Sequence, residues 1–141
     1  MKNLMKALAL VLLAMTGIVN KTHADQAGGD GREKIVAALK TAREELLNGV
    51  YVEEQKKVLG DLYIAEQMER TASQGLDQAR ALVEKKIITP LQLEAATQQV
   101  QNAKLKLETA KANLNSLREA KAQVLQQFDR LEHLIRELKA K

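Results

Sequence analysis

The sequence predicts an all-α protein, a long antiparallel two-helix coiled-coil hairpin that turns once, at about residues 87–89. Three observations predict it. The chain is rich in Ala, Leu, Glu, Lys and Gln and has only three aromatic residues, Tyr51, Tyr63 and Phe128, the composition of long helices. Apolar residues recur three and four apart along two extended runs, the spacing that lays one stripe along a helix. The single proline, Pro90, stands between those runs.

Residues 1–24 read as a secretory signal peptide. Met1 to Lys6 is a basic start, Ala7 to Val19 an apolar run, and Thr22-His23-Ala24 supplies small residues at a cleavage site before Asp25. A run of thirteen residues, interrupted by Thr16 and Gly17, falls short of the roughly 20 that span a bilayer, so no stable membrane anchor is expected. With no cysteine after the run, a lipid anchor is excluded. Of 22 basic and 18 acidic residues, Lys2, Lys6 and Lys21 leave with the signal. That leaves 19 against 18, a net charge of +1, and no electrostatic reason to expect nucleic acid. The localisation expected is periplasmic.

Residues 25–31 read as a flexible leader, and Asp30 with Glu33 as a capping box starting a helix near Arg32. The coiled-coil hairpin is expected over residues 32–141. Ile35, Leu39, Ala42 and Leu46 form a first stripe, but the step from Leu46 to Val58 loses the heptad phase. The slip coincides with Asn48-Gly49, two residues that tolerate left-handed backbone angles, so a kink or short break is expected there.

From Val58 the stripe resumes through Leu62, Ala65, Glu69, Ala72, Leu76, Ala79 and Val83. The second run is Leu93, Ala96, Val100, Ala103, Leu107, Ala110, Leu114, Leu117, Lys121, Val124, Phe128, Leu131, Ile135 and Leu138. Folding the chain back at 87–89 sets Ala79 on Ala96, Ala72 on Ala103 and Ala65 on Ala110. Between them Val83 meets Leu93, Leu76 meets Val100 and Leu62 meets Leu114. Small layers alternating with large ones let two helices approach closely. The polar Lys121 falls opposite Gln55, where both seams are interrupted.

The turn has its own signals. Thr89 reads as the N-cap of the second helix, Pro90 as its first residue and Gln92 as the third, a capping box. Ile88 before the cap can pack on Leu93 as a hydrophobic staple. Ile87 and Leu91 lie off the seam and are unexplained by packing, which makes them a candidate contact point at the tip.

Little in the sequence could carry chemistry. His133 and Glu137 lie four apart on a helix and read as a solvated ion pair rather than a metal site. Glu69 reads as a seam-edge carboxylate reaching water. With no cysteine, no glycine-rich phosphate loop and no serine placed near a histidine, the chain is not expected to be an enzyme or to bind a cofactor or metal.

The stretch Leu82-Val-Glu-Lys-Lys-Ile-Ile-Thr-Pro-Leu-Gln-Leu-Glu-Ala-Ala96, followed by Ala103, Ala110 and Ala112-Asn113-Leu114, resembles the hairpin of periplasmic adaptor proteins. These are the membrane-fusion subunits of tripartite efflux and type I secretion systems. The resemblance implies that the hairpin tip touches the periplasmic end of an outer-membrane channel. In that family the contact is carried by an arginine, a leucine four residues on and a serine seven further on. Leu82 matches the leucine and Thr89 conservatively matches the serine. The arginine position holds Gln78, which supplies neither the charge nor the fork of donors, and Arg80 lies two residues away. The tip contact implied is Gln78, Leu82, Ile87, Thr89 and Leu91.

A two-helix hairpin buries apolar surface along one seam only, and chains this thin rely on partners. Ile64, Met68 and Leu105 lie off the seam as a second, weaker stripe. Self-association or membership of a complex is therefore expected. The function expected is an accessory component of an envelope transport complex. The alternative is a periplasmic chaperone holding unfolded clients along its helical arms.

Overall fold

A computed structural model describes residues 28–139, with side chains from residue 31 to 138. The expected signal peptide and residues 25–27 of the expected leader lie outside the described residues. The protein is an all-α helical hairpin, with no strand among the described residues. Helix α1 is Gly28–Glu45, a π turn covers Leu46–Val50, helix α2 is Tyr51–Glu84 and helix α3 is Pro90–Lys139. None of these helices is long and apolar enough to cross a membrane.

The first arm differs from expectation at its start. Among the described residues the helix already covers 28–31, ahead of the start expected near Arg32, and Asp30 lies within it rather than at its cap. Propagating an existing helix adds a hydrogen bond for each residue fixed, which favours extension over a free leader. The irregularity expected at Asn48-Gly49 is present, and it takes the form of a π turn over Leu46–Val50 rather than a break. No glycine among the described residues has positive φ, and the chain passes through a π turn in which the Tyr51 N–H donates to the Leu46 carbonyl.

That turn resolves the lost phase. In an α-helix five residues carry a side chain about 140° past its starting face. The wider i→i+5 turn brings it almost back. Leu46 and Tyr51 are accordingly both buried. Val58 follows Tyr51 by seven residues, two ordinary turns, and the heptad continues.

The helices divide into two compact units. One comprises the described residues up to Gln55 together with those from Leu117 onward. Its core is Leu39, Leu46, Val124 and Phe128, with Ile35, Ala42, Val50, Leu131 and Ile135 packed against it. Leu117 is fully enclosed, and burying a leucine of this kind is worth about 2–3 kcal/mol. At the rim Arg43 and Asp129 pair at 3.7 Å. The polar interruption of the seam, Lys121, lies with its Nζ 4.5 Å from the centroid of the Tyr51 ring.

The other unit is Lys56–Ser116 and contains the turn. Ala65, Leu76 and Ala79 on α2 are buried, as are Val100, Ala103, Ala110 and Leu114 on α3. Leu62, Ala72, Val83, Leu93, Ala96 and Leu107 are half-buried. Small and large side chains thus alternate along both helices on the shielded face, the condition for close interdigitation. Of the expected seam on α3, Leu138 alone is exposed.

Candidate docking site at the hairpin tip

The tip is built by two reciprocal devices, one closing each helix. At the end of α2 the Lys86 N–H donates to the Val83 carbonyl at 2.9 Å and the Ile87 N–H to the Leu82 carbonyl at 2.9 Å. This pair of bonds is the Schellman pattern, and it requires the residue between helix and exit to be left-handed. That residue is Lys86, with φ 58°, where glycine or asparagine is usual. A lysine gives no sequence signal for this conformation. A leucine and an isoleucine five apart around the helix end, Leu82 and Ile87, were the available hint.

At the start of α3 the Thr89 N–H donates to Gln92 Oε1 at 2.9 Å, and the Gln92 N–H donates to Thr89 Oγ1 at 3.3 Å. Both bonds of the capping box are present. Pro90, whose fixed φ suits a first helical position, follows the cap. Ile88 and Leu93, on either side of it, are half-buried.

Around this closed turn, Ile87 is 65% exposed and Leu91 74% exposed. They are presented by a backbone that has little freedom to withdraw them. Thr89 is exposed, and its hydroxyl already accepts from the Gln92 amide. Leu82 is half-buried. Ile87 and Thr89 in the turn and Leu91 in the first turn of α3 therefore lie within five residues of one another, while Gln78 lies exposed nine residues back along α2. Arg80, the nearest arginine, is exposed and lies 3.9 Å from Asp77.

The remaining polar candidates are surface or seam features. His133 Nε2 and Glu137 Oε1 are 3.1 Å apart with both side chains exposed. Glu69 is half-buried and accepts a hydrogen bond from Ser73 Oγ at 3.0 Å, which gives its carboxylate a local partner at the edge of the seam. Among the described residues no three His, Cys, Asp or Glu side chains converge as a metal site would require. No family model, no curated protein and no solved structure matches this chain.

Proposed function

We propose that the protein is a non-enzymatic periplasmic interaction module, an accessory component of an envelope efflux or secretion complex that docks through its hairpin tip. The observation that carries this reading is the pairing of a doubly capped turn with two exposed aliphatic side chains, Ile87 at 65% and Leu91 at 74%. Large apolar groups fixed at a protruding turn gain most by entering a pocket on another protein. The resemblance of residues 82–114 to adaptor hairpins supplies the class of partner, an outer-membrane channel or a pump subunit. The secretory reading of residues 1–24 supplies the compartment. Gln78 in place of the family's arginine makes this docking apolar rather than charge-led.

The test is photo-crosslinking in the expressing cell, with the reactive amino acid at Ile87 and, separately, at the exposed mid-arm position Gln101. A dominant channel or pump adduct from Ile87 alone is expected. Many unrelated envelope proteins captured from both positions would overturn the reading. That outcome would favour a chaperone that holds clients along its arms, a role to which the exposed Leu59 and Tyr63 on α2 would contribute.

A further inference from the structure

Helix α2 carries two glycines, Gly60 and Gly75, that its own fold does not use. A Cβ built at either meets nothing within 4 Å, and neither has a positive φ. Glycine inside a helix is unfavourable relative to alanine, and with no crowding inside the hairpin the missing side chains leave two shallow steps open to a partner. By helical periodicity Gly60, Ile64, Met68, Thr71 and Gly75 share one arc of about 80° on α2, well round from the seam. All five are exposed, Ile64 at 57% and Met68 at 43%. No charged residue between Gly60 and Leu82 falls on that arc, in a chain with 28% charged residues. Leu105 on α3, 61% exposed, is nearly opposite the α3 seam and does not belong to this face.

We propose that this face is a homodimer interface, on which a second copy of the chain packs its own α2 in antiparallel sense. The face is complementary to itself. A two-fold axis passing between Gln67 and Met68 sets Gly60 against the second copy's Gly75 and Ile64 against its Thr71. The glycine layers at the two ends then oppose each other, where the helix backbones can approach closely, and between them Ile64 meets the smaller Thr71. The same register sets Lys57 against Gln78 and Asp61 against Gln74, so no like charges oppose each other. Other partners would fit an apolar face, but only a copy brings the matching order of glycine, bulk, bulk and glycine in reverse. From residue 57 to 78 the contact runs about 30 Å and one helix wide. It buries on the order of 1,000 Å² in total, the low end for specific interfaces. A contact of that size suits a reversible dimer rather than an obligate one. This inference does not rest on docking at the tip.

The test is sedimentation equilibrium over a wide concentration range on the protein as the cell processes it. Concentration-dependent dimerisation is expected. Ile64→Glu should weaken it about tenfold or more, while Leu105→Glu leaves it unchanged. Gly75→Leu separates this role from a structural one, because it should weaken the dimer while keeping or raising the helical melting temperature. Cysteine is absent, so single introduced cysteines report the register with a short bismaleimide. Gln67→Cys should crosslink to its counterpart. Gln78→Cys should not, since antiparallel packing holds the two about 30 Å apart. A protein monomeric at every concentration would overturn the proposal. So would a dimer indifferent to Gly75→Leu, or crosslinking through Gln78→Cys as efficient as through Gln67→Cys.

Discussion

Lys121 Nζ sits 4.5 Å from the centre of the Tyr51 ring, and the one cation in the α3 stripe is thereby matched to the one aromatic ring that the π turn brings onto the opposing face. Without the ring, the ammonium would interrupt two apolar stripes at the same level. With it, the charge gains the negative face of a π-system while the lysine stem still covers apolar surface.

This pairing is measurable as a coupling. Lys121→Gln and Tyr51→Leu, alone and combined, form a double-mutant cycle read by urea denaturation. The expected interaction energy is about 0.5–1.5 kcal/mol. Additive effects of the two substitutions would show that the contact contributes nothing to stability.

Deleting a residue from a coiled coil normally rotates everything beyond it by about 100°. Deletion of Gly49 is predicted to be the exception. The π turn already holds one residue more than an α-helix needs between Leu46 and Tyr51, so the deletion converts it to an α turn and keeps both side chains on their face. It also removes a helix-interior glycine, which costs about 1 kcal/mol. Circular dichroism should show an unchanged or higher melting temperature for this variant. Deletion of Gln101 from α3 should broaden and lower the transition.

Lys86 occupies a left-handed conformation at φ 58°, which costs an L-residue about 1–2 kcal/mol relative to glycine. Lys86→Gly should recover part of that, about 0.5–1 kcal/mol after glycine's larger unfolded-state entropy is counted. Lys86→Val, β-branched at the same angle, should lose stability. A Lys86→Gly variant less stable than the wild type by chemical denaturation would contradict the Schellman closure.

Thr89→Ala removes the side-chain acceptor for the Gln92 amide and should cost about 1 kcal/mol, with Thr89→Ser close to neutral. Since Thr89 also belongs to the proposed docking surface, the serine variant separates the two roles. It keeps the cap, so a loss of partner crosslinking in Thr89→Ser would be a loss of contact and not of fold.

The long seam was legible because alternating three- and four-residue spacing over fourteen positions has no other physical reading. Ala65, Leu76, Ala79, Val100, Ala103, Ala110 and Leu114 are all buried, where the opposed registers set them. The cap at Thr89 was legible because its side-chain chemistry is local. Tyr51 is not legible because the slip between Leu46 and Val58 predicts only a kink or short break at Asn48-Gly49, not which residue returns to the stripe. Twelve residues also divide as five and seven, one π turn and one heptad, a division that keeps the helix whole. Lys86 was missed because backbone closure of the helix end selected its conformation, against the preference of its own side chain. The partner of the tip was not legible in physical terms, since Ile87 and Leu91 specify only that something apolar covers them.

The doubly capped turn also sets an order of events in time. Next to it, the stripe residues Val83 and Leu93 are ten positions apart in the chain, so little loop entropy opposes their meeting. Leu46 and Phe128, which share a core cluster, are separated by 82 positions. Closure is predicted to begin where hydrogen bonds already reverse the backbone, with pairing spreading outward from there. Substitutions around Leu82 to Leu93 should slow the refolding limb of a chevron plot. Those at Leu46 or Phe128 should leave that limb alone and hasten unfolding.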